Sequence, residues 1–206
     1  MYALVESGSI TKIFTSPKGF VLNNNQYPQD IFYKWSKAEK EAIGLYEVET
    51  DSTNYKDENW YINTNESFTF GSGKVTRSWG TATAKPHADS LYTDQDKTDD
   101  LIPDDKDVGD VKVEGLKTIL IRKVKKQAAQ ILQDTDWYVI RKADAGTAVP
   151  SAITTHRAAV RTKCAEMETA ITNAADTPAL DTLYTYTKQE DGSTTRPLGE
   201  LPVLEA

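Results

Sequence analysis

The sequence predicts an α+β protein with three consecutive parts: a small antiparallel β-rich N-terminal domain with one short helix, an acidic linker, and a C-terminal helical hairpin or bundle. A terminal β-hairpin or tail completes it. Three observations carry this reading. Residues 1–85 alternate apolar and polar side chains with period two and are rich in Tyr, Trp and Phe. Residues 86–111 are Asp-rich, contain Pro86 and Pro103, and hold few apolar side chains. Residues 112–206 change to a helical period.

In the first part, Tyr2–Glu6 and Ile10–Phe14 alternate around Ser7-Gly8-Ser9, the pattern of a tight hairpin. Pro17, Gly19 and Asn23-Asn24-Asn25 supply turn chemistry. Ser36-Lys-Ala-Glu39 is a capping box that opens a short helix ending at Gly44, with Trp35 placed to staple the first turn. Leu45–Glu49, Trp60–Asn63, Glu66–Phe70 and Lys74–Trp79 read as strands, the middle pair joined at Thr64-Asn65 and the last pair at Gly71-Ser-Gly73. Trp60, Phe68, Phe70 and Trp79 are the expected apolar payload of that sheet.

The third part opens with Leu116, Leu120, Val124, Gln127 and Ile131 on one helical face. Thr135-Asp136-Trp137 is expected to turn into a short extended piece, and Gly146–Pro150 to be a loop. Ser151 then caps a long helix to about Asn173. Within it Ile153, Val160, Met167 and Ala174 recur every seven residues, with Arg157, Cys164 and Ile171 in companion positions. A seam of this period suits a helix hairpin or an oligomeric bundle, with Arg157 setting register or reaching the bundle edge. Ile153, Val160, Cys164, Met167 and Ile171, with Leu120, Val124 and Ile131, are therefore the expected oligomer or docking interface. Thr177-Pro178 starts another short helix, and Glu190-Asp-Gly192 is a hairpin turn.

The composition narrows function more by exclusion than by motif. The chain has 206 residues, 38% hydrophobic and 27% charged, with a net charge of −7. Nine Asp against Lys97 and Lys106 place that whole imbalance in residues 89–110, so the remainder is neutral and does not argue for nucleic-acid binding. The basic residues Lys117, Arg122, Lys123, Lys125 and Lys126 read as a solvated helix face that the nearby Asp residues can neutralise. No apolar run approaches the ~20 residues that cross a bilayer, so no membrane insertion is expected. The N-terminus has no basic segment followed by an apolar core of the kind that directs secretion.

Cys164 is the only cysteine, which excludes an intramolecular disulfide and reads as a small core residue. An EF-hand loop beginning at Asp94 would need Gly at 99 and Glu at 105, where the chain has Asp at both. No phosphate-binding glycine loop, zinc-protease helix or serine-nucleophile elbow is present. No enzymatic activity, cofactor or metal is expected from these residues. Aromatics flanked by Asn and Thr in the N-terminal part leave a sugar-binding surface as a further reading.

Two stretches resemble tailed-bacteriophage tail proteins. Met1-Tyr-Ala-Leu-Val-Glu-Ser-Gly-Ser-Ile10, with Ala42-Ile-Gly-Leu-Tyr-Glu-Val48 after it, is similar to the opening of many such chains. Leu132-Gln-Asp-Thr-Asp-Trp137-Tyr-Val-Ile-Arg141, then Val149-Pro-Ser-Ala-Ile153 and Arg157-Ala-Ala-Val-Arg161, resembles a segment near the C-terminus of tail-fibre, baseplate and tail-fibre-assembly proteins, with His156 standing where Tyr is usual. The resemblance implies a virion structural component made in the host cytoplasm, a homo-oligomer with a trimer favoured, docking on other tail proteins. A tail-fibre assembly chaperone and a host-glycan-binding tail module are the alternatives. In this frame Asp136 and Trp137 are structural anchors, and Arg157 and Arg161 are expected to pair with Asp136 or Asp144.

Overall fold

Two compact units divide the chain, residues 1–83 and a second beginning at Ala84. The computed structural model describes residues 1–204. The fold is α+β, 36% helical and 23% strand, with seven helices among the described residues.

The first unit is built from β1 (Tyr2–Glu6), β2 (Ser9–Phe14), β3 (Phe20–Leu22), β4 (Asn25–Tyr27), α1 (Ile31–Lys34), α2 (Lys37–Ala42), β5 (Leu45–Thr50), β6 (Tyr61–Ile62), β7 (Ser67–Gly71) and β8 (Lys74–Ser78). β9 (Thr83–Ala84) lies at the division. Three hairpins close through residue pairs with positive φ: Ser7-Gly8, Asn23-Asn24 and Ser72-Gly73. Two successive left-handed residues give the turn twist that matches paired strands. The curled main sheet has the order β2-β1-β5-β8-β7. Its β1–β2, β1–β5 and β7–β8 pairings are antiparallel as expected, but β5 and β8 run parallel, Val48 opposite Val75.

Alternate residues of β1 point to opposite faces, and both faces are covered. Leu4 joins Phe14, Phe20, Leu22, Ile31, Phe32 and Leu45 on one side. Ala3 and Val5 join Val75 on the other. The aromatic payload thus differs from the expected one. Trp60 is buried, whereas Phe68 and Phe70 are only half-buried, because β7 is an edge strand with one face toward solvent, and Trp79, just past the end of β8, is half-buried too. The Ser36 capping box forms as read: Ser36 N donates to Glu39 Oε2 at 2.7 Å and Glu39 N to Ser36 Oγ at 3.3 Å. Trp35 packs edge-on against Tyr27, at 6.0 Å between ring centroids, and against the core.

The second unit contains β10 (Ser90–Leu91), α3 (Asp94–Thr98), β11 (Val111–Val113), α4 (Leu116–Gln133), α5 (Asp136–Ala145), α6 (Ser151–Asn173), α7 (Thr177–Tyr184), β12 (Thr187–Lys188) and β13 (Thr194–Thr195). The expected extended linker over 86–111 is instead a small lobe of this unit. β10 and β11 pair antiparallel, and Thr93 caps α3 through a box with Asp96. Self-repulsion does not extend the segment, because Asp96 pairs with Lys112 and Asp89 accepts from Gly115 N at 2.7 Å and Thr118 Oγ1 at 2.8 Å. Each of those bonds closes a loop that repulsion alone would open.

Residues 136–145 also depart from expectation, forming a helix where an extended piece was read. Thr135 is its N-cap residue without a side-chain cap bond, and Gly146 ends it at φ +70°. Pro150, not Ser151, is the N-cap of α6, and Asp176 caps α7 by accepting from Ala179 N at 2.8 Å. The β12–β13 hairpin around Asp191-Gly192 forms where the turn was read.

Candidate functional site

α4 and α6 form an antiparallel helical hairpin, and α5 sits at its turn. Three pairs fix the register. Lys117 Nζ donates to Thr172 O at 2.8 Å, Lys125 pairs with Glu168 at 3.1 Å, and Arg157 Nη1 donates to Leu132 O at 2.7 Å. Residue numbers fall on one helix as they rise on the other, so the two run in opposite directions along most of their length.

This hairpin covers the heptad stripe. Ile153, Val160, Cys164, Met167 and Ile171 are all buried, as are Leu120 and Val124, while Ile131 is half-buried at the far end of α4. Of the two covers expected for this seam, a helix hairpin or an oligomeric bundle, the chain forms the hairpin. Their apolar surface is already removed from water inside one chain, so it offers none to a second. A 3.5-residue seam reports that a helix is covered and does not say by which helix. His156, which the heptad reading passed over, is buried on the same side of α6 at 8% exposure.

Arg157 reaches the edge of the hairpin and ties it to α5. Its Nη1 also donates to Thr135 Oγ1 at 2.7 Å, and its Nη2 lies 2.9 Å from Asp136 Oδ1. Thr135 in turn donates to Leu132 O at 3.0 Å and is 3% exposed. The Asp136–Arg157 pair is the one read from the sequence. Arg161 does not share it: the side chain is exposed and donates to Arg157 O at 3.1 Å. Asp136 and Thr135 make no cap to α5, and Trp137 does not anchor the turn in a core. Trp137 is 50% exposed, its ring tilted against Tyr138 with centroids 4.0 Å apart and covered by the Arg141 guanidinium at 4.5 Å. Val139 and Ile140 beside it are exposed as well. α5 buries none of its residues.

The remaining candidates carry less. Cys164 donates to Glu168 Oε1 at 3.4 Å, and burial first, then that carboxylate, pushes its thiol above the ordinary pKa. Such a group is a poor nucleophile. In the first unit, the Trp79 ring is taken by the Arg77 guanidinium at 4.5 Å and by Tyr55 edge-on at 4.8 Å, so it is not a free stacking platform for a sugar. Among the described residues no group of three or more His, Cys, Asp or Glu could hold a metal. None of their helices is long and apolar enough to cross a membrane. An open groove of about 310 Å³ between α4 and the C-terminal segment is lined by Gln127, Gln130, Ile131, Met167, Arg196, Glu200 and Leu201, but its two charged groups are paired with each other at 2.8 Å.

Compared with protein-family profiles, curated proteins and solved structures, the chain matches none. The candidate functional surface is accordingly defined by geometry: the exposed Trp137, Val139 and Ile140 of α5, whose first turn Arg157 ties to the end of the hairpin through Asp136.

Proposed function

We propose that the chain is a structural component of a bacteriophage tail, at the tail fibre, baseplate or neck, and that it acts by docking to other tail proteins. The observation that carries the reading is the resemblance over 132–161, whose Asp136 and Arg157 are the residues that join α5 to the hairpin at 2.9 Å. That segment exposes Trp137, Val139 and Ile140, with the half-buried Arg141 over the Trp137 ring, and α5 fully buries none of its residues. Exposed apolar residues grouped with polar neighbours are the usual mark of a binding surface. Self-association into a homo-oligomer, a trimer by analogy with three-fold fibres, belongs to the same proposal. Its interface would be the exposed face of the hairpin and not the α6 stripe.

Mass spectrometry of purified virions tests the reading. Peptides of this chain at a stoichiometry matching a tail component are expected. Their absence from mature particles, with the protein present in infected-cell lysate, would overturn it in favour of an assembly chaperone, which leaves before the particle is complete.

A further inference from the structure

The two largest concentrations of charge in the second unit do not neutralise each other within the chain. Residues 89–110 carry nine Asp against two Lys. Among the described residues, Asp96 alone of the nine has a cationic partner, Lys112, and Asp89 is engaged with Gly115 N and Thr118 Oγ1. The other seven form no ion pair. The helix α4 carries five cations and no acid. Arg122 pairs with Glu114 and Lys125 with Glu168, neither of them in the acidic lobe. Lys123 and Lys126 form no ion pair among the described residues.

Both surfaces also expose apolar side chains. Ile119, Lys123, Lys126 and Gln130 follow one another at spacings of four, three and four along α4 and are all exposed, on the side away from Leu120, Val124 and Ala128. Spacing of this kind is one continuous helix face, exposed from Ile119 to Lys126 and meeting the groove beside the C-terminal segment at Gln130. The lobe exposes Leu91, Leu101, Val108, Val111 and Val113 among its carboxylates. Apolar side chains ringed by charge of one sign form a docking surface with a stated charge preference.

Among the described residues the lobe forms no ion pair with Lys123 or Lys126 of its own chain, and it is anchored at the first turn of α4. Leu116 N donates to Pro86 O and Lys117 N to His87 O, both at 3.0 Å, and Asp89 clamps the same first turn. Lys126 lies nine residues further on, about 14 Å along the helix axis. We infer that the acidic lobe of one copy docks on the Ile119–Lys123–Lys126 face of α4 in a second copy. The contact is heterologous: different patches meet, so copies join head to tail and close into a ring or extend according to the rotation between them. The inference stands on the surface of this chain alone and does not depend on the tail proposal.

The test is light scattering and sedimentation on the full chain at low and high salt. At ~20 mM salt the mass should exceed that of a monomer, and it should fall toward the monomer near ~0.5 M, where the Debye length drops below ~5 Å. K123E/K126E and D104K/D105K change only exposed side chains, and each should weaken association by ~10-fold or more while leaving the circular dichroism spectrum unchanged. Mixed one to one, the two variants should form a complex, because the first keeps an intact lobe and the second an intact α4 face. A wild-type monomer at low salt, association insensitive to both variants, or no complex in the mixture would each overturn the inference. So would a monomer that binds a short duplex oligonucleotide through Lys123 and Lys126, which would assign that face to phosphates.

Discussion

Truncating Arg157 should loosen the end of the hairpin where α5 is attached. The guanidinium makes two charged hydrogen bonds of 2.7 Å, to Leu132 O and Thr135 Oγ1, and an ion pair with Asp136 at 2.9 Å. The Arg157 side chain is 12% exposed, so the two hydrogen bonds are sheltered, but Asp136 is 50% exposed and its share is small. Charged hydrogen bonds contribute ~1.5–3 kcal/mol each, and an ion pair with one partner this exposed less than ~1 kcal/mol. Two effects lower the sum. Thr135 still donates to Leu132 O after truncation, so that carbonyl is not left bare. Arg157 Nε is itself buried without a partner, a cost that the substitution removes. The expected loss for Arg157→Ala is therefore ~2–4 kcal/mol, well below a simple total. Urea unfolding followed by far-ultraviolet circular dichroism measures it, with Arg161→Ala as control. Arg161 is exposed and makes one bond to Arg157 O, so its truncation should change stability by no more than ~0.5 kcal/mol. A change for Arg157→Ala as small as that of the control would refute the view that this residue ties α5 to the hairpin.

Gly44 and Gly8 both have φ near +80°, but a Cβ at Gly44 would lie 2.3 Å from Val5 O whereas none of the chain lies within 4 Å at Gly8. Gly8→Ala should cost ~1–2 kcal/mol for the left-handed backbone alone, and Gly44→Ala distinctly more, in the same unfolding assay. Lys112, followed by the Thr93 amide and hydroxyl, holds the Asp96 carboxyl down at about 2 from an ordinary 3.8. A carboxyl whose pKa is depressed on folding stabilises the fold above its unfolded value and stops doing so as pH falls through its folded value. The 89–113 lobe should therefore loosen between about pH 4 and pH 2, seen as faster amide exchange at Tyr92 and Leu101, and Asp96→Asn should flatten that dependence. Cys164 should react with thiol reagents far more slowly than a free cysteine at pH 8, because burial raises its pKa and closes access; fast labelling of native protein would contradict the closed hairpin.

The hairpins and capped helix of the first unit were legible because turn and cap residues act locally. Ser36-x-x-Glu39 and Ser7-Gly8 determine their own geometry with little help from the rest of the chain. The parallel β5–β8 pairing was not, since it depends on how residues 51–73 return to the sheet. The acidic lobe was misread for an energetic reason: nine Asp suggest extension, but one Lys and a Thr93-x-x-Asp96 cap, with Asp in the place usually held by Glu, suffice to close it. The α6 stripe was legible as a covered face but its cover was not, because a hairpin partner such as Leu120, Val124 and Ala128 and a bundle partner outside the chain leave the same period. α5, expected to be extended, is a helix of ten residues with none of them fully buried. Its Asp136–Arg157 contact was visible only through residue chemistry and the resemblance over 132–161.

Cross-linking mass spectrometry on purified virions, with a lysine-reactive reagent, tests the proposed docking to tail proteins most directly. Lys142 on α5 lies one residue from Arg141 and is exposed. Cross-links from Lys142 to another tail protein are the expected result. Cross-links confined to capsid proteins, or particles free of this chain, would contradict it.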